Sequence, residues 1–270
     1  MGHQPRKRFG QNFLRNQEVI NDILHVIRPQ PDDLMVEIGP GLGALTTPLA
    51  KTLKQLHVIE LDRDIVKVLR EKYEGHANVN VVIHEGDALK FDFASLGPSL
   101  RVVGNLPYNI STPLLFHLAA HIDSLRDIHA MLQREVVERM VAAPDTAAYG
   151  RLSVALQYRF DMEKVLAVGP DAFYPQPKVD SAVIRMLPRA TREPAAQDEA
   201  LLAKIVTTAF SQRRKTLRNT LRNILEAADF DALNIDAGAR AETLGVGDFV
   251  RITNRVSQQQ NNFSATDEHR

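Results

Sequence analysis

Short apolar runs separated by amphipathic stretches occupy the first half of the chain. "LMVEI" (Leu34–Ile38), "QLHVIEL" (Gln55–Leu61), "VNVVIHEGD" (Val79–Asp87), "LRVVGN" (Leu100–Asn105) and "IHAMLQ" (Ile128–Gln133) predict strands. Between them, Leu45–Lys54, "DRDIVKVLREKY" with apolar residues at Ile65, Val66, Val68 and Leu69, and "TPLLFHLAAH" with Pro113 in its first turn predict helices. Strands alternating with helices predict a parallel α/β sheet. After about Gly150 the pattern loosens. "KVLAVG" and "SAVIRML" predict two further strands around the Pro-rich "DAFYPQPKVD", and "RATREPAAQDE" (Arg189–Glu199) reads as a linker. Helical patterns follow at Leu201–Phe210, Thr216–Ala227 and roughly Val246–Val256. The expected organisation is a Rossmann-like α/β domain over residues 1–189, a small all-α C-terminal domain over 190–256, and a polar, disordered tail over 257–270.

Composition narrows the class without choosing a function. An apolar share of 44% and a charged share of 24% over 270 residues are those of a globular protein. No apolar run approaches the ~18 residues of a membrane span. The basic start "MGHQPRKRFGQNFL" has no apolar segment after it, as a secretory signal would, and Arg6 stands where N-myristoylation of Gly2 needs Ser or Thr. The absence of Cys excludes disulfides, a thiol nucleophile and Cys-ligated zinc, and a cytoplasmic location is expected. Net charge is +0, yet the basic residues cluster. Arg6, Lys7, Arg8 and Arg15 fall within Met1–Gln17, and Lys204, Arg213, Arg214, Lys215, Arg218 and Arg222 within Ala203–Asn223, with no acid in either segment. Two such segments on a balanced chain predict a local anionic partner. Either one alone fits a solvated helix face better.

Candidate chemistry begins at "GPGLGA", between a predicted strand and a helix. Gly39, Gly41 and Ala44 satisfy G-x-G-x-x-A, and Gly39, Gly41 and Gly43 satisfy G-x-G-x-G. Glu60 ends the next strand, where a carboxylate can accept both hydroxyls of a ribose. Asp62 is its rival on the same face. Asp87 ends the third strand and can accept from an adenine amino group. Together these predict an adenosine-bearing cofactor at the carboxyl ends of successive strands.

Asn105-Leu106-Pro107-Tyr108, at the end of the fourth strand, chooses the chemistry. The amino group of a purine is a poor nucleophile, because its lone pair is delocalised into the ring. Two acceptors aimed at its two hydrogens help it toward tetrahedral geometry: the Asn105 side-chain oxygen and a main-chain carbonyl, most simply that of Leu106. Pro107 stiffens the turn and Tyr108 can stack on the base. Such preorganised acceptors strengthen toward the transition state. The donor expected is S-adenosylmethionine, whose sulfonium needs no activation. No metal is expected.

The segments "RKRFGQNFL", "VEIGPGLGALT", "GNLPYNIST", "QREVVERM", "YGRLSVALQY", "FYPQPKVDSAV" and "AFSQRRKTLRNTL" resemble the KsgA-type ribosomal RNA adenine dimethyltransferases, from about Arg6 to Val256. The resemblance implies a Rossmann-like, S-adenosylmethionine-dependent methyltransferase domain followed by a helical RNA-binding domain. It implies that Gln11, Asn12 and Leu14 close over the methionine end of the cofactor, with the Gly39 loop on the methionine, Glu60 on the ribose and Asp87 on the adenine. It also implies that Asn105 and Leu106 polarise the target amine, that Tyr108 stacks on the base, and that Phe173 covers its other face. Lys7, Arg8, Arg213, Arg214, Lys215, Arg218 and Arg222 would grip RNA phosphates. The implied substrate is two adjacent adenosines in the loop near the 3′ end of small-subunit (16S) ribosomal RNA, each dimethylated, within an immature 30S particle. A monomer is expected.

Four rival readings compete, one of them a non-enzymatic ribosome-assembly factor, which methyl transfer from labelled S-adenosylmethionine would tell apart. The N-L-P-Y motif is shared with erythromycin-resistance methyltransferases of large-subunit RNA, but "FYPQPKVDSAV" and "AFSQRRKTLRN" favour the KsgA type. A nicotinamide-dependent dehydrogenase accounts for the Gly loop and Glu60 but not for Asn105 to Tyr108. His117 and His121 lack the intervening Glu of a zinc hydrolase.

Overall fold

The computed structural model describes residues 12–75 and 80–267, with side chains to residue 261. In chain order the elements are β1 (Phe13–Leu14), α1 (Gln17–Ile27), β2 (Met35–Ile38), α2 (Thr46–Thr52), β3 (Leu56–Glu60), α3 (Arg63–Tyr73), β4 (Val81–Glu85), β5 (Leu100–Asn105), α4 (Ser111–Ala120) and β6 (Leu125–Gln133). Then come α5 (Arg134–Met140), α6 (Arg151–Gln157), β7 (Phe160–Val168), β8 (Phe173–Tyr174), β9 (Ser181–Pro188), α7 (Glu199–Ala209), α8 (Leu217–Thr220), α9 (Ala227–Leu233) and α10 (Val246–Asp267). Among the described residues, no helix is long and apolar enough to cross a membrane.

The chain forms two compact units, and the first holds a seven-stranded sheet of order β4-β3-β2-β5-β6-β9-β7. The strands from β4 to β6 are parallel, as the alternating pattern predicts. The last two are not: β9 runs antiparallel to both β6 and β7. No crossover α-helix separates β7 from β9, and a chain that turns back without one must pair antiparallel. All four residues of β2 are buried, the acid Glu37 among them. The α3 helix begins at Asp62, whose carboxylate accepts from Asp64 N at 3.1 Å, and buries Ile65, Val66, Leu69 and Tyr73. The α1 helix, absent from the sequence reading, was signalled by the Asn16 cap and by Ile20, Ile23 and Ile27 at helical spacing.

The second unit joins Glu138–Arg159 to the chain from Arg189 onward. The boundary at Arg189 matches the expected linker, but the expected single domain over residues 1–189 does not hold. Tyr149, Val154 and Tyr158 enter a core with Leu202, Ile205 and Phe249, and the Tyr149 hydroxyl donates to Leu244 O at 2.9 Å. The expected helix Thr216–Ala227 is broken as well. Leu217 N and Arg218 N donate instead to Ala239 O and Ala237 O, α8 lasts one turn, and Glu226 begins α9. The tail expected to be disordered continues α10 to Asp267, and Gln259 donates to Asp229 at 2.6 Å. Extending a helix already nucleated on a packed face costs little.

Candidate functional site

The topology locates a crevice before any side chain is considered. From β2 the chain moves outward through β3 to β4, then returns to β5 on the other side of β2. The order reverses there, and ligands bind outside the carboxyl ends of strands at such a point. Gly104 sets how closely β2 and β5 approach: a Cβ there would stand 2.4 Å from Ile38 O. The sequence reading passed over this glycine.

The turn after β2 needs glycine for two different reasons. Gly39 and Gly41, at φ 67° and 53°, line the cleft. Beside them, Phe13 already lies 3.0 Å from where a Gly41 Cβ would stand. Gly43 also has a positive φ but does not line the cleft, and a Cβ on it would meet the Tyr73 hydroxyl at 2.6 Å. Its expected place among the cofactor residues is therefore corrected to packing against α3.

Glu60 and Asp62 are told apart by their partners. Glu60 lines the cleft, and its Oε1 accepts from Leu61 N and Asp62 N, each at 2.9 Å. Burial raises its pKa, while the backbone N–H groups of Asp62, Leu61 and Gly41 hold the charged form back toward stability. Asp62 is spent on capping α3. Asp87 lines the cleft beyond β4, with Oδ1 accepting from Leu89 N at 3.0 Å.

Asn105 faces them from the end of β5. Its Nδ2 donates to Asn12 O at 2.9 Å. That bond fixes the amide's sense and turns its oxygen away from Asn12 as an acceptor. Leu106 is held by its N–H on Met131 O at 3.1 Å, and Ile110 N closes the turn on Pro107 O at 3.1 Å. The Tyr108 hydroxyl meets Ser181 Oγ at 2.7 Å, tying N-L-P-Y to the start of β9, and burial raises its pKa. Asn12 and Leu14 also line the cleft, while Gln11 lies outside the described residues.

Phe173 does not join this group. In β8 it pairs with Leu14 of β1, is 5% exposed and packs in the core, so it offers no face to a base in this arrangement. Its neighbour Tyr174 is 53% exposed, with the Arg15 guanidinium 4.3 Å from its ring centre. The basic residues expected to grip RNA do not share one element. Lys7 and Arg8 lie outside the described residues. Arg213 pairs with Glu242 and donates to Ala147 O. Arg214, Lys215, Arg218 and Arg222 are exposed, but on turns and the one-turn α8 rather than one helix face. His117 and His121 contact the Phe91 and His117 carbonyls, and no metal-binding group of acids and histidines occurs among the described residues.

Glu37, missed by the sequence reading, also lines the cleft, and Thr46 Oγ1 donates to its Oε2 at 2.7 Å. The signal was available: an acid inside the apolar run "LMVEI". Among the described residues lining the cleft there are three acids, Glu37, Glu60 and Asp87, and no Lys, Arg or His. This donor set suits an adenosyl ligand carrying positive charge. The nicotinamide reading leaves the Asn105 to Tyr108 wall of the same cleft without a role.

The comparisons agree. The profile of the family described as ribosomal RNA adenine dimethylase matches residues 2–258. A protein of Chromobacterium violaceum named "Ribosomal RNA small subunit methyltransferase A" is 60% identical over 255 residues, covering 94% of this chain and 96% of that one. Its namesake in Nitrosospira multiformis is 59% identical over 254 residues, covering 94% and 97%. Among solved structures, a dimethyladenosine transferase from Plasmodium falciparum superposes with TM-score 0.79 at 24% identity, covering 92% of this chain and 98% of that one. The 23S rRNA methyltransferase ErmE gives 0.70 at 27% identity, covering 92% and 100%.

Proposed function

The chain belongs to the ribosomal RNA adenine dimethylase family, and from that premise we propose how its cleft divides the work of methylating adenine N6. The protein is an S-adenosylmethionine-dependent adenine dimethyltransferase of small-subunit ribosomal RNA. Relatives near 60% identity bear the small-subunit name, whereas the 23S enzyme stands at 27%, so the large-subunit reading is not favoured.

The cofactor supplies a methyl group on a positively charged sulfur. Glu60 would take the ribose hydroxyls and Asp87 the adenine amino group, while Asn12, Leu14, Gly39 and Gly41 would hold the methionine end. Asn105 Oδ1 and the Leu106 carbonyl accept the two hydrogens of the target N6 and draw its lone pair out of the ring. Tyr108 stacks on the target base with its hydroxyl anchored on Ser181. Bound there, S-adenosylmethionine would supply the methyl and keep the C–S electron pair on sulfur, and the methylated N6 would give its proton to solvent. After one transfer N6 keeps one hydrogen and needs one acceptor. After the second it has none and the grip is lost, which favours release of the dimethylated base. The bond from Asn105 Nδ2 to Asn12 O is the observation that carries this reading, because it leaves the amide oxygen as the acceptor.

The finer substrate is two adjacent adenosines near the 3′ end of 16S ribosomal RNA within an immature 30S particle. Labelled S-adenosylmethionine offered to immature small subunits should deliver four methyl groups per particle, and free large-subunit RNA should receive none. Equal labelling of large-subunit RNA, or labelling outside that loop, would overturn the assignment.

A further inference from the structure

Glu37 is the group in the cleft that the chemistry above leaves unused. It lies on β2, two residues before Gly39, and is 2% exposed. Burial pushes its carboxyl up to about 7 and the charge of Glu60 adds to that, against the Thr46 hydrogen bond and the charge of Lys72. Lys72 is held on Thr47 Oγ1 at 2.9 Å, and the other titratable groups lining the cleft are the acids Glu60 and Asp87 and the phenol of Tyr108. A buried carboxyl among acids, bonded among the described residues to the Thr46 hydroxyl alone, is poised to ionise when a cation enters.

We infer that Glu37 reads the charge of the methyl donor: it gives up its proton when S-adenosylmethionine binds and regains one when only the uncharged thioether product remains. The inference rests on the cleft being the cofactor site. Donor and product share an ammonium and a carboxylate and differ by the positive sulfur, which methyl transfer neutralises when the C–S bond breaks. An ionised Glu37 beside Glu60 and Asp87 then lacks its counter-charge and takes a proton from solvent. The product is thereby held less tightly than the donor, which makes Glu37 a specificity residue for donor over product.

Calorimetric titration of the full-length protein near pH 7, in buffers of different ionisation enthalpy, counts the protons released. S-adenosylmethionine should release about half a proton, as a group half-titrated at that pH requires, and S-adenosylhomocysteine none. Glu37→Gln keeps the shape and an acceptor for Thr46. It should abolish the release, weaken S-adenosylmethionine about tenfold or more, the worth of one pKa unit, and leave S-adenosylhomocysteine nearly unchanged. Undiminished release by Glu37→Gln would overturn the inference while leaving the cofactor site intact. Failure of the parent to bind S-adenosylmethionine at all would overturn the site and the inference together. Should Glu37→Gln not fold, the parent decides. Its preference for donor over product should grow severalfold per pH unit between about pH 5.5 and 7, and a flat preference would refute the role.

Discussion

Single side chains in the cleft divide into those that meet ligand and those that hold the fold, and substitution separates them. Asn105 Nδ2 is committed to Asn12 O, and the proposed role falls to its oxygen. Asn105→Ala should leave cofactor affinity within a few-fold and lower single-turnover methyl transfer by roughly 100-fold or more, the scale of losing one preorganised transition-state partner. Glu60 and Asp62 make a second contrast. Glu60→Ala should weaken S-adenosylmethionine by about 1.5–3 kcal/mol in a calorimetric titration, as for a hydrogen bond to a charged group. Asp62→Ala should spare the cofactor and instead cost about 1 kcal/mol of stability in urea, because its carboxylate caps α3. The opposite ranking would reassign the ribose to Asp62.

Elements in the first unit are fastened by one buried cation far along the strands from the cleft. Arg101, at the start of β5, is 4% exposed. It donates to both oxygens of Asp127 on β6 at 3.0 Å, to Asp33 at 2.6 Å and to Ile27 O at the end of α1 at 2.6 Å. Arg101→Met removes the shared cation from Asp127 and from Asp33, which keeps Arg126, and should destabilise the protein by about 3–5 kcal/mol in urea unfolding. The pH response follows. Burial alone would raise the Asp33 carboxyl, but the Gln30 N–H, Arg101 and Arg126 together hold it below its ordinary 3.8. A carboxyl depressed in the folded state stabilises the fold above its unfolded pKa, and that contribution disappears as pH falls through the lower folded value. Acid unfolding of the parent should therefore steepen below about pH 4, the unfolded carboxyl range, and Arg101→Met should weaken this dependence, leaving the part that the Gln30 N–H and Arg126 supply.

At the scale of the whole molecule, the cleft and the exposed basic residues belong to separately cored units. Every residue lining the cleft belongs to the first unit, while Arg214, Lys215, Arg218 and Arg222 are exposed on the second. Changing those four to Gln should flatten the slope of log K for RNA against log salt by about 0.7–0.9 for each phosphate that the protein no longer neutralises. S-adenosylmethionine affinity should stay at the parent value. An unchanged slope with intact folding would return these residues to an ordinary solvated surface. Arg213 belongs in a separate variant, since its pairing with Glu242 supports its own unit.

The sequence by itself determined the parallel part of the sheet, the carboxyl-end position of Glu60, Asp87 and Asn105, and the family. Each rests on local information: a run of apolar residues, a glycine turn, or a motif read within a few positions. Only the tertiary structure decided the rest. Strand alternation says that Phe173 and Tyr174 face opposite ways but not which of them faces the core, and pairing of β8 with β1 made Phe173 the buried one. Helical spacing grouped Arg214, Arg218 and Arg222, yet backbone bonds from Leu217 and Arg218 to Ala239 and Ala237 end that helix after one turn. An acid in an apolar strand was visible in "LMVEI", but its proton affinity is set by burial and by Glu60, which lies on a different strand. Side-chain burial and long-range backbone bonding are properties of distant segments brought together, and no local window of the sequence contains them.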